Sequence, residues 1–554
     1  MSPAAARRWV LLAAAILFLW SLGGHDLWAP EEPKYGEIAR EMVVDGQWAV
    51  PHVNGRVYSD KPPLLFWLIA IASLPFGAVT PFAARLPSVL AALGVVALVV
   101  RIGSRRWGPW TGALAGAVLA TTYLFWEKAR WAQTDALLCL WIWVALAAFD
   151  AFRSGEADGR RAGLLFWLAA ALAVLTKGPV GLLLPLGIAL VVLAIDRELG
   201  RWRRFAPLAG PLAFVAVVGA WVLAASWLGP EGYTVWGALR EHFVERAIEG
   251  RHHVQPPWYF LEVLPPLLLP WTALVPGALV LAWRRRLPAD RLALVAALFV
   301  LVFFSVSTEK RELYALPAVP AFALMVAALV GRVAGWREPA GGRSVALDRR
   351  WVTLAQALLG GLVALAGAAL PLLARRRAEE LPSWVAVALA TILVATGTAT
   401  LVASLRGRVR ASALLPMAGL AVAYLFVATA VYPRFEGRKS ARAFSQVLRE
   451  QTAGSRAAGH PVLAYRLGNL PEAFAYFSDG VSTVETDDPA RVAAHLGAAE
   501  PVFAALDARR LEALPAETRA ALFVVADEVV SGERVLLLTN RATPGARPLA
   551  APSP

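Results

Sequence analysis

Thirteen stretches of this chain are mostly apolar and approach the length that crosses a bilayer: 9–22, 88–100, 110–125, 135–152, 163–175, 179–195, 207–228, 267–283, 292–306, 316–333, 352–373, 384–405 and 414–431. A spanning helix needs about 20 such residues, so the shorter stretches must borrow from their flanks. Nothing else constrains the fold as strongly. A segment facing lipid must satisfy its backbone polar groups internally, which a helix does and a loop does not. Composition agrees, with 58 % of the 554 residues apolar, 17 % charged and a mean hydropathy of +0.55. A water-soluble globule cannot hide that much apolar surface, and a disordered chain would be poorer in Leu, Val and Trp. Arg7 and Arg8 before the first stretch leave a cleaved signal peptide as an alternative. The segment that follows, Gly23-Gly24-His25-Asp26, is a poor cleavage site.

One further apolar run, 62–77, is ambiguous, and if it spans, every later segment reverses. The arginines decide. With 62–77 left out of the count, 21 arginines fall in loops on one side, and eight cations in short loops on the other. Loop cations face inward, so 62–77 is expected to lie at the outer surface. The run Arg375–Arg377 is the exception. Three long segments are then outside: 23–87, 229–266 and the tail from Tyr432. The net charge of +14 is explained by this topology and calls for no nucleic acid. The lone Cys139, in an apolar run, builds neither disulfide nor metal cluster.

The tail is a different kind of sequence. Short strand-like runs (461–465, 501–505, 522–526 and 535–539) alternate with helical stretches, which predicts a small α/β domain. The expected fold class is an all-α polytopic membrane protein with a C-terminal α/β soluble domain. The expected division is a membrane domain over 1–432, with an outer loop over 23–87, and an outer domain over 433–554.

Of 54 basic residues only six are lysines: Lys34, Lys61, Lys128, Lys177, Lys310 and Lys439. All fall on the outer side. Lysine is a compact point charge suited to phosphate, where arginine prefers planar bidentate contacts. Lys34, Lys61 and Lys177 are flanked by proline, which stiffens a helix entrance. Such cations suit an anionic lipid headgroup, or serve as ordinary interfacial anchors.

Carboxylates share these loops. Glu31 and Glu32 precede a predicted amphipathic helix; one of them near the bilayer surface is suited to take a proton from an acceptor hydroxyl. The alternative is charge pairing with the helix dipole. Asp135 opens a span, where an unpaired acid is costly. Asp60 lies beside Lys61. Three of the seven histidines, His242, His252 and His253, fall close together with Arg246. Asp60 and His242 are candidate ligands for a divalent metal, zinc or magnesium, although the spacing matches no zinc pattern and no cofactor is required. Hydrogen bonding of the histidines to phosphate or sugar is the preferred reading. Tyr314 is placed to lie over such a site.

These segments resemble the membrane glycosyltransferases that use a polyprenyl-phosphate sugar donor. The chain is similar to the bacterial lipid A aminoarabinose transferase family and, more distantly, to the protein O-mannosyltransferases. The shared motifs, in order, are Glu31-Glu32-Pro33-Lys34-Tyr35-Gly36-Glu37, Tyr58-Ser59-Asp60-Lys61-Pro62-Pro63, Arg85-Leu86-Pro87-Ser88, Thr176-Lys177-Gly178-Pro179, and His252-His253 through Trp258-Tyr259. The resemblance runs from about Trp28 to about Pro317. It implies a GT-C-like fold whose first outer loop carries the catalytic carboxylate. That family usually has aspartate there, and this chain has Glu31, with Glu32 adjacent.

The resemblance also implies an inverting displacement in which the lipid phosphate leaves. Lys34, Tyr35, Tyr58, Lys61, Arg85, Asp135, Lys177, Arg246, His252, His253 and Tyr314 are then substrate-binding candidates. The implied partners are a polyprenyl-phosphate sugar, a lipid, glycan or protein acceptor, and membrane lipids. The implied location is the outer face of a bacterial inner membrane. A transporter or flippase of polyprenyl-linked lipid is the main rival. Transporters tend to carry repeated halves and midplane charges, neither of which is visible here.

Overall fold

The computed structural model describes residues 2–205, 208–230, 234–239, 254–285, 287–336, 343–375 and 382–549. Neither of its two units is continuous in sequence. One comprises Met1–Leu22, Ser59–Leu65 and Arg85–Val431; the other comprises Gly23–Tyr58, Phe66–Ala84 and Tyr432–Pro554. A single boundary at residue 432 therefore does not describe the chain. The reason is visible in the core of the second unit, where Ala29 packs in one cluster with Phe444, Leu448 and Phe474 of the tail.

The first unit is helical. Among the described residues, nine helices are long and apolar enough to cross a membrane, ten if a bent pair counts as one. Every one of the thirteen predicted stretches overlaps helix. The other four are shorter or broken. Pro3–Leu19 and Val180–Asp196 have 17 residues each. Pro109–Thr121 stops where Thr122 turns extended. The fourth, Tyr259–Leu267 with Thr272–Arg285, bends by 119° over a segment holding Pro265, Pro266 and Pro270, which remove helical donors. The ambiguous run forms the ten-residue helix Leu64–Ser73 and one 3-10 turn. At 1.5 Å per residue that helix is about 15 Å long, half of a hydrocarbon core of about 30 Å.

Small residues let helices meet closely. A Cβ on Gly112 would fall 2.5 Å from the Val100 carbonyl oxygen, and one on Gly397 would fall 2.3 Å from the Ala364 nitrogen. With no hydrophobic force between helices in lipid, such close approach supplies much of the packing energy. Many of the arginines assigned to the inner loops have carboxylate partners at helix ends. Arg106 lies 2.6 Å from Asp150 and 3.0 Å from Glu156, Arg153 pairs with Asp196, and Asp290 accepts a hydrogen bond from the Trp107 indole at 3.1 Å.

The second unit is built on a six-stranded mixed sheet. Taking β1 as His52–Val53 and β2 as Arg56–Val57, the sheet strands are β3 (Val462–Tyr465), β4 (Thr483–Thr486), β5 (Phe503–Asp507), β6 (Phe523–Val530), β7 (Glu533–Thr539) and β8 (Arg547–Pro548), in the order β4-β3-β5-β7-β6-β8. β3 runs parallel to β4 and β5, with Leu463 opposite Ala504, and the remaining pairings are antiparallel. Alternate residues face opposite sides of a strand. Val462, Ala464, Phe503, Ala505 and Leu537 accordingly line one face, and Leu463, Tyr465, Ala504, Leu506 and Leu538 the other. Both faces are covered, so β3 and β5 read as unbroken apolar runs rather than alternating ones.

Candidate functional site

Of the five predicted residues in the second unit, the helix Glu31–Asp45 carries four, Glu31, Glu32, Lys34 and Tyr35. Glu32 is fully buried, and its carboxylate accepts a hydrogen bond from the Trp28 backbone N–H at 3.1 Å. That is capping behaviour, an acid satisfying a donor just before the helix. Glu31 is the half-buried first residue. Three positions on, and therefore on the same side of the helix, lies Lys34. Its ammonium is 5.8 Å from the centroid of the Tyr35 ring and 5.6 Å from that of Tyr58. Phe66 backs both tyrosines, with ring centroids 5.3 Å from Tyr35 and 5.9 Å from Tyr58. A cation over two aromatic faces is stabilised by their quadrupoles without being neutralised.

The same helix holds two further acids, Glu37 of the shared motif and Glu41, to which the sequence assigned no role. Glu37 makes a bidentate pair with Arg40 at 2.7 and 2.8 Å. Glu41 is buried and accepts from the Gly55 N–H at 3.3 Å. Burial, assisted by the nearby negative charge of Glu37, pushes its carboxyl up to about 7. From the tail, Glu472 is raised by burial and partly offset by the field of Lys34. Nothing local in the sequence marks Glu472 as a neighbour of that helix.

In the first unit, Asp135 and Lys177 are brought together. Lys177 ends the helix Gly159–Lys177, Asp135 stands in the first turn of Thr134–Arg153, and their charged atoms are 2.6 Å apart. Each charge sits at the helix end whose dipole favours it. The Lys177 ammonium is 4.9 Å from the Tyr314 ring centroid, and Tyr314 rests on Phe304 with centroids 4.9 Å apart. Arg85 is buried, and its guanidinium donates to the Leu22 carbonyl at 2.8 Å. Arg130 does the same for the end of the first helix, donating to the Phe18 carbonyl at 2.9 Å. The Lys61 ammonium donates to the Asp60 carbonyl at 3.1 Å. Lys310 is buried and donates to the Gln255 carbonyl at 2.8 Å.

Arg246, His242, His252 and His253 lie outside the described residues. Among the described residues, no group of three or more His, Cys, Asp or Glu side chains is placed to hold a metal ion. Asp60 therefore has no described companions for the metal role considered from the sequence.

Two solved structures of ArnT from Cupriavidus metallidurans superpose on nearly the whole chain. The form bound to undecaprenyl phosphate gives a TM-score of 0.74 at 21 % identity, covering 98 % of this chain and 99 % of that one. The apo form gives 0.75 at 23 % identity, covering 99 % and 100 %. The fold is GT-C. The archaeal oligosaccharyltransferase AglB from Archaeoglobus fulgidus shares it at a TM-score of 0.54 and 11 % identity, covering 94 % of this chain and 72 % of that one.

Sequence comparisons point the same way. The family model for dolichyl-phosphate-mannose-protein mannosyltransferase matches residues 60–227. An undecaprenyl phosphate-alpha-4-amino-4-deoxy-L-arabinose arabinosyl transferase of Pseudomonas fluorescens is 32 % identical over 339 residues, 59 % of this chain and 57 % of the relative. The corresponding protein of Pseudomonas aeruginosa is 34 % identical over 335 residues, 58 % and 59 %. The aligned part is thus under two thirds of these relatives' length. The resemblance read from the motifs is the one these comparisons return, and this GT-C chain is an integral membrane protein.

Proposed function

We propose that this protein is a glycosyltransferase that moves a sugar from a polyprenyl-phosphate donor, such as an undecaprenyl-phosphate sugar, to an envelope acceptor such as lipid A, at the outer face of the bacterial inner membrane. The observation that carries the reading is Lys34, a buried ammonium held over two tyrosine rings on the same helix side as Glu31. A buried cation calls for an anion, and a half-buried acid one turn away suits an acceptor.

The proposed step is a single displacement. The acceptor oxygen forms a bond to the anomeric carbon as the bond to the donor phosphate oxygen breaks, so configuration inverts. The bonding pair leaves on the phosphate, where Lys34 and Tyr58 stabilise the growing charge. Such preorganised stabilisation accounts for much of the rate in many enzymes. Glu31 receives the acceptor proton when the acceptor is a hydroxyl, and orients the acceptor when it is an ionised phosphate. Glu32, occupied in capping, is left to structure. Lys61, Lys177, Arg246, His252, His253 and Tyr314 are assigned to binding donor or acceptor, and Asp135 to holding Lys177.

The test is transfer by purified protein from a panel of labelled polyprenyl-phosphate sugars to lipid A, glycan and protein acceptors. Glu31→Gln and Lys61→Ala are expected to abolish transfer while the thermal unfolding profile is kept. Undiminished turnover in both variants would overturn the site, and a wild-type protein that transfers from no donor would overturn the activity. Orientation is read separately, by labelling cysteines introduced at Gly46 and Gly155, which should report opposite sides.

A further inference from the structure

The two-residue strands β1 and β2 form a hairpin whose register pairs His52 with Val57 and Val53 with Arg56. Its turn residues, Asn54 and Gly55, have φ of 56° and 71°. Two successive left-handed residues suit Asn-Gly and match the strand twist. So short a hairpin does not stand by itself in water. It ends directly at Tyr58, whose N–H donates to the Pro51 carbonyl at 2.8 Å.

What holds the hairpin is a side chain at its tip. The Asn54 amide donates to the Thr483 carbonyl at 3.0 Å and accepts from the Thr483 N–H at 3.0 Å. Thr483 opens β4, the edge strand of the tail sheet. Asn54 thus does for one residue what a neighbouring strand would do. Both residues are buried, at 7 % and 3 % exposure, so neither bond is readily replaced by water. On its other side the turn is held by Glu41, through the Gly55 N–H. Arg56 and Glu485 add a half-exposed ion pair at 3.4 Å. Ser531 donates to the Ala29 carbonyl at 3.2 Å, tying the chain just before the Glu31–Asp45 helix to the tail as well.

We infer that Asn54 is a positioning residue through which the C-terminal sheet sets the place of Tyr58 relative to Lys34. The tail is then part of the apparatus that builds the phosphate site. This rests on the proposed function for its catalytic consequence, and on geometry alone for the clasp. Asn54 touches no substrate in this account; its effect passes through the hairpin to Tyr58.

Asn54→Gly removes the amide and keeps a residue at home in the left-handed region. In the full-length protein it should speed amide exchange at residues 53–58 and at Thr483. It should lower kcat by about 10-fold or more while the donor KM moves by less than about 3-fold, because a small misplacement of a group acting in the transition state is costly. Asn54→Asp, which keeps the acceptor and loses the donor, should fall between. Thr483→Ala leaves both main-chain partners in place and should turn over like wild type. Unchanged exchange protection in Asn54→Gly overturns the clasp. Faster exchange with an unchanged kcat overturns the positioning role. If the wild-type protein transfers no sugar, the functional reading fails, and protection at Thr483 still decides the clasp by itself.

Discussion

Lys34 and Lys177 are both buried or nearly so, and the two units hold them in different ways. Lys34, in the unit that contains the tail, sits over the Tyr35 and Tyr58 rings. Lys177, in the helical unit, faces the Tyr314 ring and is also tied to Asp135 at 2.6 Å. Rings stabilise a cation by about 0.5–2 kcal/mol without cancelling its charge. A carboxylate cancels it, and an incoming phosphate must then compete with that partner. The ring-held lysine, whose field reaches only the raised carboxyl of Glu472 and which has no close ion pair among the described residues, is therefore the better set up to bind an anion. The ion-paired one is set up to fix two helix ends, and to bind only as Asp135 yields.

That contrast can be broken by kinetics. Of these two lysines Lys34→Met should cost the larger factor, about 10²–10³ in kcat, the range seen when one donor to a developing charge is removed. Lys177→Met should cost less in kcat and more in donor KM. Equal losses in kcat for the two variants, measured with one donor and acceptor pair, would erase the distinction. Asp135→Asn sharpens it from the other side. Removing one partner of a buried pair leaves an uncompensated charge, worth roughly 3 kcal/mol of stability. A clear fall in the thermal midpoint is expected, largely restored in the double variant with Lys177→Met. A midpoint that stays put would show that the pair does not hold the helices.

The sequence speaks most clearly where a physical constraint is local. The membrane stretches were legible because each is one apolar run, and two of their shortfalls follow from residues in or just before them, Thr122 and the prolines at 265, 266 and 270. β3, β5, β6 and β7 were legible as short apolar runs. β4, which reads Thr-Val-Glu-Thr, was not, because an edge strand is only half buried. Glu31 stood out as one of two adjacent acids, Lys34 as a proline-flanked lysine and Tyr58 through the family resemblance, and the structure places Lys34 with both tyrosines. The assignment of 23–58 and 66–84 to the unit of the tail was not legible. It depends on contacts such as Asn54 with Thr483, separated by 429 residues, and no local pattern encodes them. The Asn54-Gly55 dipeptide between Val53 and Val57 did carry a hairpin signal.

Gly36 gives a smaller and more local test of the second unit. A Cβ there would lie 2.9 Å from Leu27 Cδ1 and 2.9 Å from Tyr476 Cε2. The Tyr476 ring cannot swing freely, since its hydroxyl donates to the Val79 carbonyl at 2.5 Å. Gly36→Ala should therefore cost about 2 kcal/mol through overpacking, seen as a lower unfolding midpoint. Pairing it with Tyr476→Ala should relieve the clash; a double variant no better than the sum of the singles would mean that Tyr476 is not the obstacle.

The smallest expected effect is a pH dependence that Glu41 should give the second unit. Glu41 is buried near Glu37, and its carboxyl is pushed from 4.5 up to about 7 in the folded protein. Between those values the folded chain binds more proton than the unfolded chain, so stability falls as pH rises. The contribution is fully present below about pH 4.5, is lost as pH passes through about 7, and is flat beyond. Partial hydration screens the charge, so the change is about 1 kcal/mol. Glu41→Gln keeps an oxygen for the Gly55 N–H and carries no charge. Its unfolding midpoint should match wild type at pH 5 and exceed it at pH 8. A variant that is less stable at both values would mean that the ionised carboxylate, rather than its neutral form, is what the hairpin needs at position 41.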